Sequence, residues 1–380
     1  MDEWLGTIPL VFWFAMFLLP WQPWRNRETL RVMDRVADRG ADADLSDTCV
    51  VIPARDEAAQ IIQTLRALSL QGENLQVIVV DDQSQDRTVE LVLGFKGLDI
   101  TLVHGEVLPS GWSGKLWALQ QGFITSSRTL KRPITVLLDA DISLAPGVLI
   151  SLREKMQHDR IAFVSVMAHQ SMSTFWEKLL LPAFVYFFKQ LYPFALSNNP
   201  RVKFVAAAAG GCIMVKTEAL HSIGGFARIK DTLIDDCALA GKIKQQGYGT
   251  WVGLSHEVRS HRTYGGLKSI WEMVSRTAFH QLKYSSLLLL AMTLIFLAIY
   301  GLPWMGLFEN NAVTQTTAVA ALITMAGLYL PTIRYYKLNP LWCLGMPLIA
   351  LLYLAMTWHS AFQYWFGVGN RWRGRQYTRN

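Results

Sequence analysis

Two aspartates two positions apart stand directly after an uncharged apolar run. They are Asp139 and Asp141, and the run is residues 134–138 (ITVLL). In an extended segment, residues two apart point to the same side, so the two carboxylates converge on one point. Carboxylate oxygens are ligands that Mg²⁺ and Mn²⁺ prefer, together with phosphate oxygens. The spacing therefore predicts a site for Mg²⁺ or Mn²⁺ at the end of a buried strand, with two solvated loop acids as the alternative.

A second acidic pair, Asp81 and Asp82, follows the apolar run 75–80 (LQVIVV). Carboxylates at the end of a buried strand can accept hydrogen bonds from the base or the ribose of a nucleotide. We therefore predict that this pair binds a ligand. Ser84 and Asp86 are predicted instead to cap the next helix, because their side chains are favoured at that position.

A lysine follows two glycines in residues 111–115 (GWSGK), where a helix is predicted to open at Leu116. Glycine permits close approach of a ligand to the backbone, and a helix N-terminus favours anions, so Lys115 could reach a diphosphate. The segment has neither the GxxxxGK[ST] spacing of a P-loop nor the GxGxxG spacing of a dinucleotide-binding loop. The alternative for Lys115 is an exposed lysine on a helix.

A run of small residues comes later in the chain. Residues 206–209 are four alanines, and Gly210 and Gly211 follow them. Positions without bulky side chains let a ligand lie against the backbone, so we predict that the two glycines contact a substrate. The alternative is a tightly packed buried strand.

A third acidic pair, Asp235 and Asp236, stands at the start of a predicted helix that carries Leu239 and Ile243. Acids in a first helical turn often interact only with the helix dipole. The other interpretation is a general base, since a hydroxyl must lose its proton as it attacks, and a carboxylate within reach can accept that proton. The residues alone leave both interpretations open.

These candidates stand where the strands of a predicted α/β fold end. Apolar strand segments near residues 49–53, 75–80, 100–103 and 134–138 alternate with helical patterns. This alternation predicts βαβ units and a mostly parallel sheet with flanking helices. Ligands of such sheets bind beyond the carboxyl ends of the strands, where the acids stand.

The composition indicates membrane segments. Hydrophobic residues make up 51% of the 380-residue chain and charged residues 17%, whereas soluble domains carry about 25% charged residues. We predict membrane crossings at about 285–304, 313–331 and 341–366, each near the roughly 20 residues that a bilayer requires. Residues 174–196 are apolar but hold three charged side chains, so an interfacial or core helix is predicted there.

The N-terminal apolar run, 4–19, is preceded by acids and followed by four arginines between residues 25 and 35. A cleaved signal peptide has a basic start, so we predict an uncleaved anchor with the following chain in the cytoplasm, at the inner membrane. Three further crossings would place the basic tail outside, against the positive-inside rule. Either one segment is re-entrant or the rule fails here.

The sequence thus divides into five predicted parts. They are a membrane anchor (1–24), a linker (25–47), a cytoplasmic catalytic domain (48–284), membrane segments (285–368) and a basic tail (369–380). We see no basic stripe interleaved with aromatic residues, which argues against a nucleic-acid partner. The four cysteines form no CxxC pair, which argues against a zinc site.

The motifs, in this order, resemble those of the family 2 inverting glycosyltransferases, which have the GT-A fold. The resemblance covers about residues 48–280 and rests on the PARDE segment (Pro53 to Glu57), Asp81-Asp82, Lys115, Asp139-Ala140-Asp141, Gly210-Gly211 and Asp235-Asp236. It implies a metal-dependent transfer of a hexosyl or N-acetylhexosaminyl group. The donor would be a nucleoside-diphosphate sugar, with a UDP sugar favoured.

The resemblance also implies a role for each matching residue. The donor would be bound by Arg55, Glu57, Asp81, Asp82, Lys115, Asp139 and Arg276. The metal ligands would be Asp139 and Asp141, and Gly210 and Gly211 would contact the acceptor. Asp236 would be the catalytic base, with Asp235 beside it in the catalytic pair.

One family motif is degraded in this chain. Membrane members often carry a QxxRW motif that grips the diphosphate and stacks on the acceptor. Here Arg276 keeps the arginine, but Met273 and Thr277 stand where Gln and Trp would be. Arg276 is still predicted to meet phosphate, and His261 and Arg262 are further candidates in the same stretch.

The GWSGK segment and the membrane layout are most similar to the bacterial hopene-associated glycosyltransferases. That narrower resemblance implies a lipid acceptor, such as a hopanoid or a polyprenyl lipid. Processive polysaccharide synthesis is one alternative, although it usually needs more spans and an intact QxxRW motif. A non-catalytic membrane scaffold that kept the fold is the other.

Overall fold

The computed structural model describes residues 4–32, 43–230, 232, 234–367, 370–372 and 375–377. The chain consists of two compact units, each defined by the contacts that its residues make with one another. The sheet unit consists of residues 28–171 and 194–262, and the helical unit consists of residues 1–27, 172–193 and 263–380.

An eight-stranded sheet forms the centre of the sheet unit. Its strands are β1 (Thr48–Ala54), β2 (Gln76–Asp81), β3 (Asp99–His104), β4 (Ile134–Leu138), β5 (Ile142–Leu144), β6 (Phe163–Gln170), β7 (Cys212–Lys216) and β8 (Thr250–Ser260). Their order across the sheet is β3-β2-β1-β4-β7-β6-β8-β5. Among these strands, four neighbouring pairs are parallel and three are antiparallel. The predicted mostly parallel sheet is therefore confirmed.

Helices cover both faces of this sheet. They are Ile61–Leu68, Thr88–Gly94, Gly114–Thr125, Val148–His158, Phe194–Ser197, Thr217–Ser222 and Asp235–Gln245, with a π-turn at Ser126–Leu130 and a 3-10 turn at Gly225–Ile229. Along β1, Val50 and Ile52 belong to one apolar cluster, whereas Cys49 and Val51 belong to another. Successive strand residues point to opposite faces, so each cluster fills the space between one face and its helices.

Three neighbouring strands, β2, β1 and β4, are buried along their whole length. Strands covered on both faces are apolar throughout rather than alternating, which is why these runs were recognisable in the sequence. Their parallel pairing brings all three carboxyl ends to the same edge of the sheet. The acidic pairs that follow β2 and β4 therefore lie at that edge.

The helical unit contains the candidate membrane segments. Its helices are Trp4–Leu18, Phe175–Leu191, Leu267–Ser275, Ala278–Gln281, Ser286–Phe296, Leu302–Gly306, Ala312–Tyr335 and Met346–Trp365, with a π-turn at Leu297–Gly301 and a 3-10 turn at Pro340–Gly345. Its C-terminal end also includes the short antiparallel strands β9 (Asn370–Trp372) and β10 (Arg375–Tyr377).

Among the described residues, three helical stretches are long and apolar enough to cross a membrane: Ser286–Gly306, Ala312–Tyr335 and Pro340–Trp365. They agree with the predicted crossings to within a few residues. The helix Trp4–Leu18 has 15 residues, or about 22 Å at 1.5 Å per residue, which is shorter than a hydrocarbon core of roughly 30 Å. The N-terminal anchor therefore stays a prediction.

The helix Phe175–Leu191 corresponds to the apolar segment that we expected not to span. Glu177 is fully buried at its start, where its carboxylate accepts hydrogen bonds from the backbone N–H groups of Thr174 and Tyr264, both at 2.8 Å. Burial acts to raise the pKa of Glu177, but these hydrogen bonds outweigh it and hold the pKa at about 2. The buried residues of this helix belong to the core of the helical unit.

The predicted borders of the catalytic domain, at residues 48 and 284, stay predictions. By contacts, residues 172–193 and 263–284 group with the helical unit. Residues 33–42 of the predicted linker lie outside the described residues, as do residues 369, 373–374 and 378–380 of the predicted tail.

Candidate functional site

A small pocket at the carboxyl end of β4 brings together residues from four of the predicted motifs. Its polar lining consists of Lys115, Asp139, Asp235 and Asp236, together with the backbone at Gly210. Its apolar lining comes from Leu, Ile and Phe side chains of β4, β7 and the surrounding helices. These residues are widely spaced in the sequence, and the sheet and its helices bring them together.

Asp139 and Asp141 flank the turn between β4 and β5. The backbone N–H of Asp139 donates to the carbonyl of Gly211 at 3.0 Å, and the carbonyl of Asp141 accepts from the backbone N–H of His261 at 2.8 Å. Burial raises the pKa of Asp141, and the neighbouring charge of Asp139 adds to this effect, while Arg262 and Lys115 oppose it. A cation placed between the two carboxylates would relieve their repulsion.

A threonine that the sequence analysis did not single out holds this turn in place. Thr64 is fully buried, and its hydroxyl donates to the carbonyl of Ala140, between the two aspartates, at 2.7 Å. The hydroxyl therefore fixes the backbone from which Asp139 and Asp141 project. A contact between residues 76 positions apart leaves no local signal in the sequence.

Replacing Thr64 with valine should disturb the turn without changing the shape of the side chain. The buried carbonyl of Ala140 would lose its partner, so we expect the free energy of unfolding to fall by about 1–3 kcal/mol. We also expect weaker Mn²⁺ binding, measured by electron paramagnetic resonance of free Mn²⁺. Thr64→Ser keeps the hydroxyl and is the control. Equal stability and equal Mn²⁺ binding in Thr64→Val and Thr64→Ser would contradict this role.

Lys115 lies in the first turn of the helix Gly114–Thr125, whose N-terminus is capped by Ser113. Its ammonium lies 2.6 Å from a carboxylate oxygen of Asp139. Burial alone would lower the pKa of Lys115, but the carboxylates of Asp139, Asp235 and Asp236 outweigh burial and raise it. The side chain is therefore a fixed positive charge in the pocket. Of the two interpretations from the sequence, the exposed lysine is wrong.

Asp236 lies in the first turn of the helix Asp235–Gln245 and faces the pocket. One carboxylate oxygen accepts from the backbone N–H of Gly210 at 2.8 Å, and the other accepts from that of Cys237 at 2.8 Å. Burial, reinforced by the charge of Asp235, raises the pKa of Asp236 to about 6. A carboxylate with that pKa is a stronger base than an ordinary aspartate yet is still ionised at neutral pH.

Gly210 and Gly211 connect the two acidic groups. The N–H of Gly210 donates to Asp236, and the carbonyl of Gly211 accepts from the N–H of Asp139. A β-carbon at Gly210 would lie 3.3 Å from the Lys115 ammonium and 3.4 Å from the Asp236 carboxylate. Residues 206–211 precede β7 and are not in a strand, so the alternative of a packed strand is wrong. Contact with the acceptor stays a prediction.

The second acidic pair lies at the end of β2, two strands away from β4 in the sheet. Asp81 and Asp82 are both buried. Asp81 accepts from the backbone N–H of Ser84 at 3.2 Å. The guanidinium of Arg55 donates to the Asp82 carbonyl at 2.5 Å and lies 3.8 Å from its carboxylate. Arg55 therefore holds Asp82 in position, while donor binding by all three residues stays a prediction.

The loops after β1 and β2 are tied together by side chains. The backbone N–H of Glu57 donates to the Thr88 hydroxyl at 2.8 Å, which ties the loop after β1 to the helix that follows β2. Asp86 accepts from the N–H of Thr88, the first residue of the helix Thr88–Gly94, although Arg87 rather than Asp86 stands at the N-cap position. Ser84 accepts instead from the N–H of Asp56, so its predicted capping role is wrong.

Arg276 lies in the helical unit, directly after the helix Leu267–Ser275. Its predicted contact with phosphate stays a prediction. His261 and Arg262 belong to the sheet unit and follow β8. The imidazole Nε2 of His261 lies 2.8 Å from the Ser143 hydroxyl, and Arg262 carries its positive charge close to Asp141. The structure therefore favours these two residues as neighbours of the predicted metal site.

All four cysteines of the chain are buried and free: Cys49, Cys212, Cys237 and Cys343. Burial raises the pKa of Cys49 to about 11 and that of Cys212 to about 12. Burial, together with the charge of Asp236, also raises the pKa of Cys237. Because the thiolate is the nucleophilic form of cysteine, the raised pKa of Cys237 argues against a nucleophilic role for this residue.

Residues 49–224 match the family described as Glycosyl transferase family 2. Apart from Thr48, this stretch contains β1 to β7 and, with them, the carboxyl ends of β1, β2 and β4 at which candidate residues lie. The chain carries a family 2 glycosyl transferase domain. The first two acidic pairs, Lys115, Gly210 and Gly211 lie inside this transferase domain, whereas Asp235 and Asp236 lie beyond its end at residue 224.

Two comparisons agree with this assignment. The chain is similar to 4,4'-diaponeurosporenoate glycosyltransferase of Staphylococcus haemolyticus, with 32% identity over 121 residues, which is 31% of this chain and 30% of that relative. The chain thus spans less than a third of the relative's length in this match. The fold is similar to that of a mannosyltransferase from Pyrobaculum calidifontis solved with GDP-Man and Mn²⁺, with a TM-score of 0.55, 18% identity and coverage of 95% of this chain and 99% of that one. The predicted GT-A fold is confirmed.

Proposed function

We propose that this chain is a membrane-bound, metal-dependent inverting glycosyltransferase. It would move a hexosyl or N-acetylhexosaminyl group from a nucleoside-diphosphate sugar, with a UDP sugar favoured, to a lipid acceptor such as a hopanoid or a polyprenyl lipid. The observation that carries this proposal is the pocket of the transferase domain, where Lys115, Asp139 and Asp236 meet at the end of β4.

The pocket residues fit the chemistry of a single displacement. The acceptor hydroxyl attacks the anomeric carbon as its proton passes to the Asp236 carboxylate. A new C–O bond forms with inversion, and the bond to the nucleoside diphosphate breaks. Lys115 stabilises the negative charge that develops on the departing diphosphate, and a positioned cation of this kind contributes several kcal/mol in a site of low dielectric constant. Arg55 and the acids after β2 would hold the nucleotide.

A divalent cation fits the donor set at the β4–β5 turn. Asp139 and Asp141 offer hard oxygen ligands, and the raised pKa of Asp141, which burial and Asp139 cause, indicates a site that favours added positive charge. Among the described residues, no group of three or more His, Cys, Asp or Glu side chains is placed to hold a metal. Diphosphate and water oxygens would therefore complete the coordination shell. When bound, the ion supplies positive charge at the leaving group.

Two observations support a lipid acceptor and a membrane location. In the part of the chain that the structure describes, three helical stretches are long and apolar enough to cross a bilayer. The curated relative is named for the glycosylation of diaponeurosporenoate. We propose that the chain lies in the cytoplasmic membrane as a multi-pass protein, with the transferase domain in the cytoplasm.

Turnover should depend on pH through Asp236. A base must be unprotonated to accept a proton, so kcat/KM should rise with pH through an apparent pKa of about 6 and fall about tenfold per unit below it. Asp235, Lys115 and Cys237 are titratable groups that interact with Asp236. Because the charge of Asp235 helps to raise the pKa of Asp236, Asp235→Asn should shift the profile to lower pH. A profile that is flat from about pH 5 to about pH 8 would contradict this assignment.

The proposal is tested with the full chain in nanodiscs. The protein is incubated with Mg²⁺ or Mn²⁺, a membrane lipid extract and a panel of nucleotide sugars, and released nucleoside diphosphate is measured. Release that requires both metal and lipid would support the proposal and identify the donor. Release that yields a growing polymer would favour a processive synthase. No release with any donor would overturn the proposal and favour the scaffold.

A further inference from the structure

The segment that carries Gly210 is held in place by side chains rather than by strand pairing. Residues 205–211 precede β7 and lie in neither a helix nor a strand, so their backbone N–H and C=O groups need partners from elsewhere in the fold. One of these groups, the N–H of Gly210, donates to the carboxylate of Asp236, the proposed base, at 2.8 Å. The backbone at Gly210 therefore helps to fix the orientation of the base.

One serine holds the residue directly before Gly210 by both of its backbone polar groups. Ser165 lies on β6 and is fully buried. Its hydroxyl accepts from the N–H of Ala209 at 2.8 Å and donates to the carbonyl of the same residue at 3.0 Å. A hydroxyl has one donor hydrogen and two acceptor lone pairs, so it can make both bonds at once. Replacing Ser165 with alanine would remove both bonds.

The same segment is also bonded to the helix Asp235–Gln245, which carries the base. The ammonium of Lys244, a buried residue of this helix, donates to the carbonyl of Val205 at 2.8 Å. The thiol of Cys237 donates to the carbonyl of Ala208 at 3.5 Å. These bonds tie the segment to the helix, whereas the serine on β6 ties it to the sheet. Bonds to both elements restrict the segment, so its N–H at residue 210 has a fixed direction.

We propose that Ser165 is a positioning residue for the transfer reaction, which fixes the backbone at Ala209 and Gly210 and thereby the orientation of the Asp236 carboxylate. The inference rests on the proposed function, because it takes Asp236 to be the base. Ser165 is not one of the described residues that line the pocket, so it acts through the backbone and not by contact with substrate. Proton transfer requires hydrogen-bond geometry, and a misplacement of about 1 Å can lower a rate about 100-fold.

The test is Ser165→Ala in the full chain in nanodiscs. Without donor, the amides of residues 205–211 should exchange hydrogen about tenfold faster than in the wild type, measured by mass spectrometry, because opening no longer breaks the bonds to Ala209. With membrane lipid extract and the nucleotide sugar that the wild type turns over, kcat should fall about 10- to 100-fold. The dissociation constant of the donor should change little.

The pH profile separates a positioning role from a general loss of stability. Burial raises the pKa of Asp236, and the hydrogen bond from Gly210 opposes this effect. If that bond weakens in Ser165→Ala, the pKa of Asp236 rises further, so the rising limb of kcat/KM should move to higher pH. The other titratable groups that interact with this carboxylate are unchanged in the variant: Asp235, Lys115 and Cys237.

Ser255→Ala is the matched control. Ser255 is also a buried serine, on the neighbouring strand β8. Its hydroxyl lies 3.0 Å from the carbonyl oxygen of Leu30 and accepts from the N–H of Glu257 at 3.2 Å. The variant should therefore lose stability to a similar degree. The kcat, the pH profile and the exchange of residues 205–211 should all stay as in the wild type.

Two further substitutions at the same position complete the test. Ser165→Thr keeps the hydroxyl and should recover most of the kcat that Ser165→Ala loses. Ser165→Cys has nearly the same shape, and its thiol is only a weak donor and acceptor. It should show the same changes to a smaller degree, and it replaces Ser165→Ala if that variant does not fold.

Two results would overturn the inference. They are unchanged exchange of residues 205–211 in Ser165→Ala, and equal effects of Ser165→Ala and Ser255→Ala on kcat. Failure of the proposed function would appear differently, as a wild type that releases no nucleoside diphosphate with any donor. Release by the wild type together with undiminished kcat in Ser165→Ala would be the failure of this inference alone.

Discussion

Replacing Asp236 with asparagine is expected to lower kcat by about 10³-fold while donor affinity changes little, since a positioned general base typically contributes 10²- to 10⁴-fold. The amide has nearly the same shape as the carboxylate but cannot accept the proton of the attacking hydroxyl. It can still accept the hydrogen bond from the N–H of Gly210 that the native side chain accepts. The measurements are released nucleoside diphosphate for turnover and isothermal titration of the donor for binding.

Asp235→Asn is the control for this experiment. It removes a neighbouring negative charge in the same helical turn but leaves the proposed base in place, so turnover at neutral pH should fall about tenfold at most. Undiminished turnover in Asp236→Asn would remove Asp236 from the mechanism. Loss of donor binding in the same variant would mean that Asp236 holds the donor rather than acting as the base.

Replacing Asp141 with alanine is expected to abolish the response of the protein to Mn²⁺. At a Mn²⁺ concentration of about 100 times its dissociation constant, binding to the folded state alone adds roughly 2.7 kcal/mol to the free energy of unfolding. The wild type should therefore unfold at a higher temperature when Mn²⁺ is present, and Asp141→Ala should not. Turnover should fall by about 10³-fold or more, because a metal ion at the leaving group contributes several kcal/mol.

The stability of Asp141→Ala in the absence of metal gives a second test. Burial and the charge of Asp139 raise the pKa of Asp141, so at neutral pH the ionised Asp141 destabilises the fold. Asp141→Ala should therefore be at least as stable as the wild type in a chelating buffer. Asp159→Ala removes an acid that pairs with Lys155, and it is the control that should keep the Mn²⁺ response. A retained Mn²⁺ response in Asp141→Ala would place the metal elsewhere.

The strands and their acidic ends could be predicted because both signals are local. The apolar runs before Asp81 and Asp139 are continuous, which is the pattern of strands that are buried on both faces. The three candidate spans were also evident, since a run of about 20 apolar residues has the length that a helix needs to cross a bilayer. These features required no knowledge of which strands pair.

The contacts within the pocket could not be predicted, because they depend on the pairing of strands that are distant in the sequence. β7 lies antiparallel between β4 and β6, and only this arrangement brings Gly210 and Gly211 to Asp236 and Asp139. The sequence indicated two flexible glycines but not that their backbone groups bond to the acids. Thr64 was missed for the same reason, because a buried threonine becomes distinctive only when its partner, the Ala140 carbonyl, is known.

The four buried cysteines should react poorly with thiol reagents. A membrane-impermeant maleimide should label the wild type poorly, because Cys49, Cys212 and Cys237 are buried with raised thiol pKa values and Cys343 is also buried. A single cysteine introduced beside a candidate span would therefore report, without any cysteine-free parent, which side of the membrane it faces. Labelling in intact cells could then decide the orientation of each span, including the one before the basic tail that conflicts with the positive-inside rule.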